Sequence, residues 1–200
     1  MDRGISDRST CANSMVRREA KGRTMITGRT LTLIAALMLG SMTGSVAAQE
    51  SANRVAADTD WAVFEGTDPK ECWAVSAPKE TVNTRGGQAV SVRRGDILLF
   101  VTFRPDQSVA GEVSFTGGYP FADGSTATLE VGGTTFELFT EGEYAWPATP
   151  ADDQKIVTAM KRGSTAVVTA RSARGTQTKD TFSLLGVTAM IEQAESNCES

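Results

Sequence analysis

A chain without a single histidine has few ways to move protons near neutral pH. The lack removes Ser-His-Asp and Cys-His catalysis together with the histidine-bearing zinc sites. No Gly-x-Gly-x-x-Gly run opens a helix after a strand and no phosphate loop is present, which sets nucleotide chemistry aside. Carboxylates are what remain for hydrolysis, and the candidates are Glu112, Asp123, Glu130, Glu137 and Asp180. Two of them could cleave a glycosidic bond, one as acid and the other as base or nucleophile. They fall mostly on outward strand positions or in turns, where they read as solvated charges on a β surface. A Ser–Lys dyad would draw on Ser164 or Ser183 with Lys161 or Lys179, and no spacing calls for it. Asp152 and Asp153 could serve a loop calcium site, but the simpler reading is charge stabilisation at a helix N-terminus. No catalytic residue, metal site or cofactor is expected.

Binding chemistry has better candidates. Gly117-Gly118-Tyr119-Pro120-Phe121 is an aromatic-bearing turn after a strand. It either offers Tyr119 and Phe121 to a partner or folds them back as a plug, and the plug is favoured. Tyr144 and Trp146 pose the same choice just before a helix, with Trp146 read as a staple beneath it. Arg174, in the stretch Ser172 to Thr176, completes the candidate binding residues Tyr119, Phe121, Trp146 and Arg174.

The compartment is read from the N-terminal third. Leu31 to Leu39 is an apolar run preceded by Arg23 and Arg29 and followed by Ser45-Val46-Ala47-Ala48. A basic region, a short apolar core and small residues at −3 and −1 make a secretory signal cleaved after Ala48. A membrane anchor would need about 20 predominantly apolar residues, and this run fades into Gly40 to Ser45. Residues 1–24 are polar, basic and non-periodic, and Met25 opens a signal of ordinary proportions. Met25 is therefore read as the true start, which would leave Cys11 outside the protein. Removing residues 1–48 takes away seven basic and three acidic residues from totals of 20 and 24. The remainder has 13 and 21, a net charge of −8. Such a surface repels phosphate backbones, so nucleic acid is not an expected partner. Cys72 and Cys198 then remain, and in an oxidising compartment two cysteines allow one intramolecular bridge. A redox role would call for a Cys-x-x-Cys spacing, which is absent.

Short β-type runs separated by turn residues must position these groups. Gln49 to Asp60 is polar and alanine-rich and reads as a loose leader to a single domain over residues 61–200. Runs follow at Trp61 to Phe64, Cys72 to Ser76, Ala89 to Arg93, Ile97 to Phe103 and Val109 to Phe115. Ile97 to Phe103, apolar on both faces at its start, reads as a central covered strand. Ala127 to Val131, Gly132-Gly133 and Thr134 to Phe139 predict a hairpin with a primed turn. Leu129, Val131, Phe136 and Leu138 should face inward, with Glu130 and Glu137 outward. Thr165 to Ala170 and Thr181 to Leu185 add two strands. The aromatics Trp61, Phe64, Trp73, Phe100, Phe103, Phe115, Phe136, Phe139 and Phe182 are expected in the core.

One helix is marked by a capping Thr149, Pro150 at its first position and the apolar stripe Ile156, Val157 and Met160, with Gly163 as the residue beyond its end. A second helix or extended tail runs from Val187 to Ala194. These elements predict a mainly β protein, an antiparallel β-sandwich or partly closed barrel with one or two short helices.

The order of features resembles a known family. Trp61-Ala62-Val63, Cys72 to Pro78 and Gly118-Tyr119-Pro120-Phe121 form a first half. Ala145-Trp146, Met160 to Gly163, Ser172 to Thr176, Asp180 to Leu184 and Cys198 form a second. Together they resemble the invasion-associated locus B (IalB) family of alphaproteobacterial exported proteins, over about Trp61 to Cys198. The resemblance implies a β-sandwich-like fold in the periplasm or outer envelope, a role in host-cell invasion for some host-associated relatives, and no catalytic residues. The chain departs from the family where Cys198 is followed by Glu199 rather than proline. The expected role is non-enzymatic, binding an envelope or host macromolecule. A carboxylate-dependent glycan hydrolase or a carbohydrate-binding module is the alternative. Mass spectrometry of the protein recovered from fractionated cells should find Gln49 at the N-terminus, a Cys72–Cys198 linkage and an envelope location.

Overall fold

A computed structural model describes residues 53–199. The signal segment, Cys11 and the start of the leader lie outside the described residues. Among the described residues, twelve strands form one antiparallel sheet, with two α-helices laid on it. In chain order the strands are β1 (Arg54–Asp58), β2 (Trp61–Thr67), β3 (Lys70–Ser76), β4 (Glu80–Arg85), β5 (Gln88–Ala89) and β6 (Leu98–Arg104). Then come β7 (Val109–Thr116), β8 (Thr126–Val131), β9 (Thr134–Glu141), β10 (Tyr144–Trp146), β11 (Thr165–Arg171) and β12 (Gln177–Ser183). The helices are α1 (Pro150–Arg162) and α2 (Val187–Glu199).

Their order across the sheet is β1-β2-β3-β6-β7-β10-β9-β8-β11-β12-β4-β5, so it is not closed into a barrel. Instead the sheet folds over on itself. Phe115 of β7 meets Phe182 of β12 edge to face at 6.2 Å. The indole of Trp61 in β2 donates to the Ser183 carbonyl at 2.9 Å.

Alternation decides which side chains enter the fold-over. In β8, Ala127, Leu129 and Val131 are buried while Thr126, Thr128 and Glu130 are exposed, and β11 and β12 repeat the pattern. Gly132 and Gly133 both take positive φ, as a primed two-residue turn requires. In β7 the register slips by one residue, leaving Gly111 as a bulge with φ +81°.

Alternation also corrects the aromatic core. Trp61, Phe103, Phe115 and Phe182 are buried. Phe64 and Trp73, on the opposite parity of paired strands, stack on each other at 5.9 Å on the outer face, half-buried. Phe100 and Phe136 are half-buried, and Phe139 is 46% exposed.

Three local readings change. Within the stretch read as a loose leader, Arg54–Asp58 is a strand paired with β2. Of Ala89 to Arg93, only Ala89 belongs to a strand, because Arg94 turns the chain inward to a buried acid. Glu80–Arg85, which carries no apolar alternation, is a strand nonetheless.

Thr149 caps α1, its hydroxyl accepting the Asp152 N–H at 3.3 Å, and Ile156, Val157 and Met160 face the core. Gly163 ends the helix in an extended rather than left-handed conformation, φ −87°. Space is what it supplies: a Cβ there would lie 2.8 Å from Val131 Cγ1. Helix α2 buries Val187, Met190, Ile191, Ala194 and Cys198, the spacing of one helical stripe, against β1, β2, β3 and β6.

Cys198 is bonded to Cys72 of β3 across a sequence separation of 126, with Cα atoms 5.7 Å apart. This bond fastens the last turn of α2 to the sheet. Replacing Cys72 and Cys198 with serine should cost about 2–4 kcal/mol. Urea denaturation of the variant should match the wild type in reductant, and a wild-type midpoint indifferent to reductant would contradict the linkage.

Candidate functional site

Loops from five places meet at one end of the folded sheet: residues 90–97, 117–125 and 172–176, the β9–β10 turn, and the end of β4. Arg94 organises them. Its guanidinium donates to both carboxylate oxygens of Asp180 in β12, at 2.7 and 2.6 Å. It also reaches the Gly117 carbonyl at 2.9 Å and Asn83 Oδ1 of β4 at 3.3 Å. Side-chain exposures of 6% and 0% make this a buried pair. Burial pushes the Asp180 carboxyl above its ordinary value, and the bonds from Arg94 oppose that rise. Asp180 is thus no surface acid. It shares the inward parity of Phe182 and Thr178 on β12.

The neighbouring backbone is tightly held. Gly95 N–H donates to the Gly118 carbonyl at 2.8 Å. Gly118 has φ +68°, and a Cβ there would lie 2.6 Å from Gly95, so only glycine fits. The next residues are pinned on both sides: Phe121 N–H donates to Gly142, Ala122 N–H to Arg171, and Ala173 N–H to Pro120. Tyr119 is consequently fixed. Its ring lies under the Arg94 guanidinium at 5.0 Å and its hydroxyl shares a 2.5 Å hydrogen bond with Thr178 Oγ1. Burial raises the phenol pKa, with Thr178 and Arg94 opposing, so it is neutral at pH 7.

Over this floor opens a cleft of about 630 Å³, whose lining includes Arg85, Arg93, Arg94, Tyr119, Glu143 and Arg174. With Arg94 neutralised by Asp180, three arginines stand against one acid, an inversion of the charge of the surrounding domain. Arg85 is partly engaged, donating to Thr176 Oγ1 at 2.7 Å. Arg93 and Arg174 are exposed and form no ion pair among the described residues. The cleft therefore offers two free guanidinium groups beside a half-buried phenol and exposed backbone, a setting suited to an anion.

Of the candidate binding residues, Tyr119 and Arg174 are brought together here. Phe121 is not on this surface: it is 5% exposed and packs edge-on against Tyr119 at 5.2 Å, supporting it from within. Trp146 lies elsewhere, on β10, lining a second cleft of about 390 Å³ with Glu112, Phe139, Glu141 and Asp153. Arg85, Arg93, Arg94 and Glu143 were missed by sequence reasoning. Arg94-Gly95-Asp96 reads in sequence as a turn and Arg93 as the end of a β-type run, so neither arginine stands out as a ligand.

The remaining acids and nucleophiles are accounted for separately. Asp152 joins the cap of α1, accepting from Thr149 Oγ1 at 2.7 Å and from Lys155 at 2.9 Å, and those partners, Lys155 first, lower its pKa. Its neighbour Asp153 turns inward and accepts the Val113 N–H at 2.8 Å. Pro147 ends β10, so that amide has no strand on this side to pair with. Burial pushes the Asp153 carboxyl up to about 6, aided by the nearby charges of Glu112 and Asp152 and opposed by the Val113 bond. The folded carboxyl keeps its proton to higher pH than the unfolded one. Its contribution to stability is full below about pH 4 and lost as pH rises through about 6. Glu112 is ion-paired with Arg104. Asp123, Glu130 and Glu137 are exposed. Lys161 pairs with Glu192 at 3.1 Å, and among the described residues neither it nor Lys179 bonds a serine. No described group of three acidic or cysteine side chains is placed to hold a metal ion, and no described helix is long and apolar enough to cross a membrane.

The profile described as Invasion associated locus B (IalB) protein matches residues 61–195, well over half of the chain. The chain belongs to the invasion associated locus B family. In this member the match begins at the buried Trp61 and takes in the whole arginine cleft, the second cleft and Cys72, stopping short of Cys198. No curated protein and no solved structure matches it.

The Arg94–Asp180 pair yields a direct test. Arg94→Ala leaves a fully buried carboxyl without its donor and should cost about 3–5 kcal/mol in urea denaturation. Replacing both partners with apolar residues of similar volume, Arg94→Met with Asp180→Leu, should cost less than the single change.

Proposed function

We propose that this family member is an exported, non-enzymatic envelope protein that binds an anionic group of an envelope or host macromolecule in the arginine cleft. One observation carries the reading: Arg85, Arg93 and Arg174 converge on a single preformed opening over the neutralised Arg94, with one acid, Glu143, in a domain of net negative charge. Ion–ion attraction between exposed charges is worth little on its own, but several guanidinium groups on one ligand give planar, bidentate recognition of phosphate or carboxylate. A cleft of about 630 Å³ holds one headgroup or sugar acid, not a polymer tracked along a basic stripe. The acidic remainder of the surface favours ligands whose charge is local. Export is supported by the disulfide, which belongs to oxidising compartments.

The test is a titration of the protein with inorganic phosphate, a phosphorylated glycolipid headgroup and a uronic-acid oligosaccharide, followed by NMR at two salt concentrations. Binding should weaken with salt, and Arg93→Ala with Arg174→Ala should lower affinity by about tenfold or more, equivalent to 1.4 kcal/mol. Both side chains are exposed, so the fold should be unaffected. Unchanged affinity in the double variant, or no binding by any of the three probes, would overturn the proposal.

A further inference from the structure

Three aromatic rings form an offset-stacked row on the outer face of β9 and β10. Trp146 stands directly across from Phe139 in the β10–β9 pairing, and Tyr144 is two residues before Trp146 and so on the same face. The ring centres of Phe139 and Trp146 are 5.5 Å apart with an interplanar angle of 28°, and those of Tyr144 and Trp146 are 5.7 Å apart at 24°. Phe139 and Tyr144 are each 46% exposed. Trp146, read from sequence as a staple beneath α1, is half-buried in the middle of this row.

The patch runs into the second cleft, where its companions are carboxylates: Glu112, Glu141 and Asp153. Asp153 is 8% exposed, held by the Val113 N–H on Oδ1, and no donor among the described residues reaches its other oxygen. Glu141 shares the outward parity of Phe139 on β9 and is exposed. Two features decide what such a surface accepts. A row of stacked rings leaves a stepped apolar surface, whereas a quaternary ammonium group is recognised by rings walling it in on several sides. Carboxylates at the edge accept hydrogen bonds from hydroxyl groups and repel anions. A ring with an apolar face and a hydroxyl rim fits both.

We infer that Phe139, Trp146 and Tyr144, with Asp153 and Glu141 at their edge, form a binding site for a neutral saccharide, the pyranose face lying on the rings and its hydroxyls donating to the carboxylates. This site is separate from the arginine cleft. Its residues lie on β9, β10 and α1, and the two linings share no residue. Trp146 is the central contact, since it touches both of the other rings and borders the cleft. Asp153 supplies the fixed acceptor, because the Val113 bond and the first turn of α1 hold it in place.

The experiment is a calorimetric and NMR titration of the protein with a β-1,4-linked N-acetylglucosamine tetrasaccharide, a β-1,4-linked glucose tetrasaccharide and a polygalacturonate tetramer, with tetramethylammonium as a cation control. At least one neutral oligosaccharide should bind and shift the Trp146 indole signal, and the acidic one should bind more weakly. Trp146→Ala should reduce affinity about tenfold or more, with a smaller loss in Tyr144→Ala, whose exposed side chain can be removed without disturbing the fold. Asp153→Asn, which keeps an acceptor for Val113, should weaken binding less than Trp146→Ala. The Arg93→Ala, Arg174→Ala double variant should bind saccharide as the wild type does, which separates this site from the anion cleft. The inference is overturned if neither neutral oligosaccharide moves the Trp146 signal, if Tyr144→Ala and Trp146→Ala bind normally, or if only tetramethylammonium perturbs the patch.

Discussion

The buried pair of Arg94 and Asp180 is the interaction on which the rest of this molecule hangs. Taking two charges out of water is expensive, and attraction between them repays the cost only when geometry is good and the remaining donors find partners. Here the guanidinium makes four hydrogen bonds, two to Asp180 and one each to Gly117 and Asn83, and lies against the Tyr119 ring. Those partners come from β12, the end of β7 and β4. Strands far apart along the sheet are therefore fixed relative to one another by a single side chain. A hydrophobic contact in the same place would tolerate sliding, whereas a planar fork meeting a carboxylate does not.

The same pair sets the character of the cleft above it. Because Arg94 is neutralised from below by Asp180, it contributes shape and a cation–π contact more than free charge. The uncompensated charge belongs to Arg93 and Arg174, on flexible stems at the rim. The proposed anion site therefore has a held floor and an exposed charged rim. The opposite arrangement holds on β9 and β10, where the aromatic rings are set by strand pairing and the carboxylates lie at the border. The two surfaces differ in sign and in polarity, though both sit on one short domain.

Much of the fold was legible because burial follows parity. The hairpin at Gly132-Gly133, the stripe of α1 and the inward residues of β8 are what alternation and helical spacing predict. Where a strand has no apolar face the signal vanishes: Glu80–Arg85 is set in the sheet by its backbone pairing with β12 and by polar contacts of Asn83 and Arg85, and its side chains are polar except Val82. Asp180 is the instructive failure. Charge type argued for solvent, yet Thr178, Asp180 and Phe182 alternate onto one face, and that face holds a core phenylalanine. Parity should have outweighed charge, with a buried arginine as the implied partner. The cleft itself was half legible, since Tyr119 and Arg174 stood out by type while Arg85 and Arg93 are joined to them only by tertiary folding. Gly163 was correctly placed at a helix end, but what it provides is clearance for Val131 and Leu184, which no local pattern contains.

The position of β4 has a consequence for how the chain reaches this state. It follows β3 directly in sequence but lies at the far side of the sheet, hydrogen-bonded to β12, so that Lys79 meets Thr181. About a hundred residues must be placed before that pairing can form, and closure over such a span makes assembly slow. Until then β4 has only the two-residue β5 beside one end of it and is otherwise an open edge, the kind of segment that recruits other chains. Its glutamate, threonines, asparagine and arginine keep it hydrated while it waits. The polarity that hid this strand from a reading of the sequence is what makes its late arrival safe.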